Sequence, residues 1–131
     1  MGLTYLDACI LIYALEDQGP RGDAVRQTIA AERSKLVTSA LSITECLVGP
    51  MLARDFELRD HYLAMFRQIE LIEVTTDAFI RAAELRADFG LKTPDALHLA
   101  VAQLAGCEQL WTNDTRLATA SRGLAVDVVN R

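Results

Sequence analysis

The chain has 131 residues, of which 51% are hydrophobic and 24% charged, and its net charge is −5. This balance excludes a disordered tail and predicts one globular domain over residues 1–131, with a core large enough to fold alone. No apolar run reaches the roughly 20 residues needed to span a bilayer, and the acidic balance argues against a surface that grips nucleic acid all over, while leaving room for a local basic patch or for acids neutralised by metal.

Met1-Gly2 leads directly into the first predicted strand, so no secretory leader is expected. Cys9, Cys46 and Cys107 are widely spaced and outside any CxxC pair. They read as reduced thiols of a cytoplasmic protein rather than a disulfide framework or a zinc site.

Taken in order, Leu3 to Leu6 predicts a buried strand and Ala8 to Glu16 a short apolar helix, with the carboxylate of Asp7 between two apolar runs. Asp17 to Gly22 predicts a turn, and Asp23 to Glu32 an amphipathic helix with Val25, Thr28 and Ile29 on one face. Leu36 to Thr38 is a second strand. A helix from Ser42 to Val48 is expected to break or kink at Gly49-Pro50. Arg54 to Gln68 is a charged stretch with helical spacing, which suits a solvated arm or a dimer surface. Leu71 to Val74 is a third strand, Asp77 to Phe89 an amphipathic helix, and Gly90 its stop. Thr93 is the expected N-cap of a helix with Pro94 first inside it, and the run Ala96-Leu97-His98-Leu99-Ala100-Val101-Ala102 is apolar enough on all sides to be buried. Gln109 to Thr112 is a fourth strand, Asp114 to Ser121 a helix, and Val126 to Val129 a last strand. Strands alternating with helices predict an α/β fold with a mainly parallel sheet of four to five strands.

Four acids fall at or near strand-to-helix junctions: Asp7, Glu45, Asp95 and Asp114. In a parallel sheet the junctions that follow strands open on one edge, so residues distant in sequence converge there. Each acid also has a purely structural reading. Asp7 and Asp114 suit N-caps, Ser42 and Glu45 have capping-box spacing, and Asp95 complements a helix dipole. Together, however, they would repel. Two unit charges roughly 6 Å apart at an effective dielectric of about 20 cost about 3 kcal/mol, so such a group persists only if protons or cations neutralise it. An oxygen-only set suits Mg²⁺ or Mn²⁺ rather than zinc, and the matching chemistry is hydrolysis of a phosphodiester. Setting the four acids aside leaves −1 of the −5.

Around them, Thr112 and Asn113 are candidates to hold water or metal, and Arg116, Lys92 and Arg86 to meet phosphate, with Arg86 reading better as ordinary surface charge. His98, one turn after Asp95, reads first as a packed core histidine and second as a base or phosphate contact. No GxGxxG or P-loop is present. Cys9 stands two residues after Asp7, where a haloacid-dehalogenase-type mechanism has a second Asp.

The segments Leu6-Asp7-Ala8-Cys9-Ile10-Leu11-Ile12-Tyr13, Ser39-Ala40-Leu41-Ser42-Ile43-Thr44-Glu45, Thr93-Pro94-Asp95-Ala96-Leu97-His98-Leu99-Ala100 and Thr112-Asn113-Asp114-Thr115-Arg116-Leu117 resemble, in order, those of PIN-domain nucleases, and specifically of VapC-type toxins of bacterial toxin–antitoxin pairs. The resemblance covers essentially the whole chain. It implies a three-layer α/β/α sandwich and a Mg²⁺- or Mn²⁺-dependent endoribonuclease whose metal and catalytic residues are Asp7, Glu45, Asp95 and Asp114. Asp114 stands at the position the family varies most. It further implies an RNA substrate, a homodimer, and a small antitoxin whose C-terminal segment occupies the groove and inserts a basic side chain among the acids. The other classes compatible with the sequence are a non-catalytic α/β protein-interaction module and a phosphohydrolase acting on small phosphate esters.

Overall fold

The computed structural model describes residues 2–130; Met1 and Arg131, the two ends of the expected domain, lie outside the described residues. The elements run β1 (Leu3–Leu6), α1 (Ala8–Glu16), α2 (Pro20–Ala31), β2 (Lys35–Ser39), α3 (Ala40–Ala53), α4 (Phe56–Gln68), β3 (Glu70–Ile72), α5 (Thr76–Phe89), α6 (Thr93–Leu104), β4 (Gln109–Trp111), α7 (Thr115–Ala120) and β5 (Ala125–Val126). The five strands form one parallel sheet in the order β3-β2-β1-β4-β5. Chain order therefore reverses direction between β1 and β4, and the junctions after those strands flank the place where an open α/β sheet makes its crevice.

Side chains alternate across β1, so each face of the sheet builds its own core. Tyr5 joins Val37, Leu85, Leu99, Ala100, Leu110 and Leu117 under α5, α6 and α7. Leu6 joins Ile10, Leu11, Cys46, Tyr62, Phe66 and Trp111 under α1, α3 and α4. The result is the expected α/β/α sandwich, with a sheet that is parallel throughout. No helix among the described residues is long and apolar enough to cross a membrane.

Several element ends differ from the sequence reading for identifiable reasons. The segment Pro20-Arg21-Gly22 is helix rather than turn, because Pro20 fits the start of α2, where its missing N–H goes unused. Helix α3 starts earlier and does not stop at Gly49-Pro50. It continues through Pro50 to Ala53 and ends at Arg54 in the left-handed region (φ 54°). Cys46, Leu47 and Pro50 are all buried along it, and that packing outweighs the missing backbone donor. Helix α4 is not a solvated arm, since Tyr62 and Phe66 are core residues and the Tyr62 hydroxyl donates to Glu16. Lys92, not Thr93, is the N-cap of α6, and Thr93 is already helical. The last strand stops at Val126 because Asp127 Oδ1 accepts from the N–H groups of Val129 (2.9 Å) and Asn130 (3.1 Å), turning the chain. Strand β3 is shifted to Glu70–Ile72, and Gly90 stops α5 as expected with φ 68°.

The approach of the Asp17 carbonyl to the first turn of α2 requires a glycine. A Cβ on Gly22 would fall well inside van der Waals contact with the Asp17 oxygen, which also accepts from Arg26 Nη1 at 2.8 Å. Gly to Ala in an open helix stabilises by about 1 kcal/mol. Here Gly22→Ala is expected to destabilise by about 1–3 kcal/mol through overpacking, read as a lower urea midpoint with an unchanged slope.

Candidate active site

The four acids lie on the carboxyl edge of the sheet, each delivered by a different element. Asp7 follows β1, the central strand, and its N–H bonds the Trp111 carbonyl at 3.1 Å. It holds the N-cap position of α1 but its side chain makes no capping bond. Instead Oδ2 accepts the Thr112 hydroxyl at 2.7 Å, while Oδ1 stands 3.9 Å from His98 Nε2. The residue is only 6% exposed, so this carboxylate is withdrawn from water for something other than capping.

Glu45 lies in the second turn of α3, not the first, and the expected capping box does not form. Ser39 is the N-cap of that helix, and the Ser42 hydroxyl is hydrogen-bonded to Thr38 Oγ1 at 2.6 Å. The Glu45 carboxylate accepts from His98 Nε2. Asp95 sits in the first turn of α6 and is half-buried. Asp114 is a true N-cap, with Oδ1 accepting from the N–H groups of Arg116 (2.9 Å) and Leu117 (3.1 Å). Capping thus explains Asp114 structurally, and it leaves the second carboxylate oxygen uncommitted.

Thr112 is the joint between two of the acids, since it donates to Asp7 and accepts from the Asp114 N–H at 3.1 Å. The Asn113 amide is tied to α1, donating to the Tyr13 hydroxyl at 3.2 Å. Lys92, Asp95, Asn113, Asp114 and Arg116 line one cavity of about 430 Å³. Lys92 and Arg116 are exposed and make no ion pair among the described residues. Arg86, read as ordinary surface charge, is exposed but has a structural role: its guanidinium donates to the Leu91 carbonyl (3.1 Å) and Thr93 Oγ1 (2.8 Å), tying the α5–α6 turn.

His98 is where residue-by-residue reading falls short. It is fully buried, as a core histidine would be, yet both ring nitrogens are engaged at the site. Nδ1 meets the Tyr5 hydroxyl at 2.6 Å, and Nε2 donates to Glu45. The available signal was its offset of three residues from Asp95 on one helix face. Burial, the largest influence, pulls its pKa down, but the Glu45 hydrogen bond and the charges of Asp7, Glu45 and Asp95 outweigh burial and raise it.

The acids feel one another. Burial raises the Asp95 pKa, and the charges of Asp114, Asp7 and Glu45 raise it further against the lowering effect of His98. Burial, then the charge of Asp7, pushes the Cys9 thiol up to about 12; burial and Glu45 do the same to Cys46. Both thiols stay protonated at neutral pH, so neither is a thiolate nucleophile. The donors that remain are carboxylate and hydroxyl oxygens carrying excess negative charge, a set that fits a hard divalent cation. Among the described residues, no three Asp, Glu, His or Cys side chains are gathered closely enough to grip one ion as they stand.

A parallel sandwich carrying its acids on one edge around the central strand defines a recognisable class of protein, and the sequence matches the PIN domain family over residues 4–123. The chain belongs to that family. Solved structures with the same fold include a toxin–antitoxin complex from Klebsiella pneumoniae (24% identity, TM-score 0.79, covering 95% of this chain and 97% of that one). A VapBC pair from Rickettsia felis bound to a promoter DNA fragment is similar (17%, 0.77, 95% and 97%), as is a sarcin–ricin-loop-cleaving VapC toxin from Mycobacterium tuberculosis (16%, 0.76, 89% and 94%). Among curated proteins no sequence is significantly similar to this chain.

The raised Asp95 pKa has a stability consequence of definite sign. The fold favours the protonated carboxyl more than the unfolded chain does, so the contribution is favourable below the unfolded pKa of about 3.9 and is lost as pH rises through the higher folded value. Asp95→Asn is therefore expected to raise the melting temperature of the metal-free protein at neutral pH, and the gain should vanish as pH falls below about 3.9. Melting curves of the two proteins across that range test it.

Proposed function

We propose that this protein is a metal-dependent endoribonuclease, the toxin of a toxin–antitoxin pair, acting in the cytoplasm as a single PIN domain. The observation that carries the reading is the buried Asp7 carboxylate, which makes no capping bond and shares one edge with Glu45, Asp95 and Asp114. Membership of the PIN family supports nuclease chemistry, and the structural neighbours described as toxins and toxin–antitoxin complexes support the toxin reading.

Asp7 and Asp95 are the principal residues that would hold Mg²⁺ or Mn²⁺, with Glu45 beside them and Asp114 supporting through its free oxygen. When bound, such an ion lowers the pKa of a coordinated water and stabilises in-line displacement at phosphorus. Thr112 orients Asp7 by donating to Oδ2, which leaves Oδ1 for the ion. Lys92 and Arg116, on the rim of the cavity that holds Asp95 and Asp114, would meet the RNA backbone and offset its approach to an acidic edge. Asn113 would support that rim.

The same negative edge suits the proposed antitoxin, which would place a basic side chain among the acids and so occupy the ion's position. The exposed apolar side chains Val48, Met51, Leu52 and Phe56, on α3 and the start of α4, offer a surface for the proposed homodimer.

The purified, partner-free chain is expected to cleave RNA with Mg²⁺ or Mn²⁺ and not with a chelator. Asp7→Asn should reduce cleavage by at least 100-fold while leaving the circular dichroism spectrum unchanged. Thr112→Val, which removes the hydroxyl from Asp7 and the acceptor from the Asp114 N–H, should destabilise the fold by about 1–3 kcal/mol and weaken cleavage less severely than Asp7→Asn. Absence of both metal binding and cleavage in the wild-type chain would overturn the assignment.

A further inference from the structure

Beneath the acids, a line of buried hydrogen bonds leads from the sheet to one carboxylate. The Ser39 hydroxyl lies 2.8 Å from the Tyr5 hydroxyl, the Tyr5 hydroxyl lies 2.6 Å from His98 Nδ1, and His98 Nε2 is bonded to Glu45. Ser39, Tyr5 and His98 are each 0% exposed. We infer that Tyr5 and His98 are positioning residues, which set the Glu45 carboxylate in place for a divalent cation. The inference rests on the proposed metal site and names residues outside the acid set.

The proton inventory supports this role. An ionised carboxylate only accepts, so His98 Nε2 must carry hydrogen whether the ring is neutral or charged. The remaining nitrogen, Nδ1, is fixed by Tyr5 in both cases. A neutral ring accepts the Tyr5 proton, and a charged ring donates to the Tyr5 oxygen, whose own proton then goes to Ser39. The two rings meet edge to face with centroids 5.6 Å apart and planes 65° apart, which limits rotation of the imidazole.

Glu45 needs such an anchor. Its side chain has three rotatable bonds and is about one-third exposed, and it reaches the site from the second turn of a helix rather than from a strand end. Its hydrogen bond to His98 is the only one it makes among the described residues. The same Nε2–H stands 3.9 Å from Asp7 Oδ1, so the ring also spaces two carboxylates that would otherwise repel across the edge. An ordinary neutral core histidine needs none of this; one carbonyl for its N–H and one donor for its bare nitrogen would satisfy it.

The test combines nuclear magnetic resonance with Mn²⁺ calorimetry on the full chain. The chain has two histidines, and His61 is exposed on α4, so His98→Gln assigns the spectrum of ¹⁵N-histidine-labelled protein. In the metal-free protein, Nε2 of His98 should be proton-bearing, and Tyr5→Phe should shift Nδ1, which loses its hydroxyl partner. By calorimetry Tyr5→Phe should weaken Mn²⁺ binding about 10-fold, the low end of what losing a hydrogen-bonded support behind a ligand costs. His98→Leu should weaken it more, and His98→Gln, whose amide can still donate to Glu45, should recover part of the loss. Melting curves confirm that each variant is folded, and Tyr5→Phe decides the question should the His98 variants unfold. A bare Nε2, or Mn²⁺ affinity unchanged in Tyr5→Phe, overturns the positioning role and leaves the nuclease reading standing. A wild-type chain that binds no Mn²⁺ overturns the metal site and the role together; an intact resonance signature would then show that the hydrogen-bond line is sound and the metal reading was at fault.

Discussion

A carboxylate taken out of water at the end of the central strand must find compensation nearby, and much of the site is built to compensate Asp7. The Thr112 hydroxyl, delivered from the end of β4, meets one oxygen, and the backbone N–H of Asp7 closes onto the Trp111 carbonyl. Thr112 in turn accepts from the Asp114 N–H, so the same hydroxyl that supports Asp7 shapes the start of α7. On the other side of β1, the Thr38 hydroxyl donates to the Leu6 carbonyl at 2.8 Å and bonds Ser42, pinning the start of α3 to the strand beside it. Buried polar groups that are fully partnered specify one arrangement of their neighbours. No buried side-chain nitrogen or oxygen among the described residues lacks a partner.

The arrangement has an energetic cost. Burial and the neighbouring charges of Asp114, Asp7 and Glu45 raise the proton affinity of Asp95. The fold carries this cost on two well-packed cores, with Tyr5, Leu99 and Leu110 fully buried on one face of the sheet and Ile10, Val25 and Tyr62 fully buried on the other. Local destabilisation at a functional edge, held by rigid elements, is the usual compromise between stability and activity. In the proposed enzyme a cation relieves the repulsion; in the proposed inhibited pair a basic side chain does so.

Particular residues show which parts of this were legible in advance. Leu3 to Leu6 and the apolar run from Ala96 to Ala102 announce themselves by composition, because a central parallel strand and a central helix are buried on nearly every side. Pro50 misled, since its cost to an isolated helix is real but smaller than the packing that α3 gains by continuing. The Ser42–Glu45 spacing misled in the opposite way. It satisfies a capping-box pattern three residues too late, since the helix already begins after Ser39 and the Ser42 hydroxyl has turned to Thr38. Both failures set a local preference against a contact made by residues far away in the chain.

The sequence alone determined the class of fold, the order of its elements and the placing of four acids at or near strand-to-helix junctions, because hydrophobic period, turn residues and isolated charges in apolar runs are local properties. Only the tertiary structure decided what each acid does with its oxygens. Asp7 and Asp114 stand at similar strand-to-helix junctions, yet Asp114 caps its helix and Asp7 turns to Thr112. It also decided that His98, apolar in its surroundings and plain in its motif, joins Tyr5 of β1 to Glu45 of α3. Hydrogen bonds between residues 53 and 93 positions apart leave no local trace, because their partners are chosen by how the sheet is ordered and how the helices lie upon it.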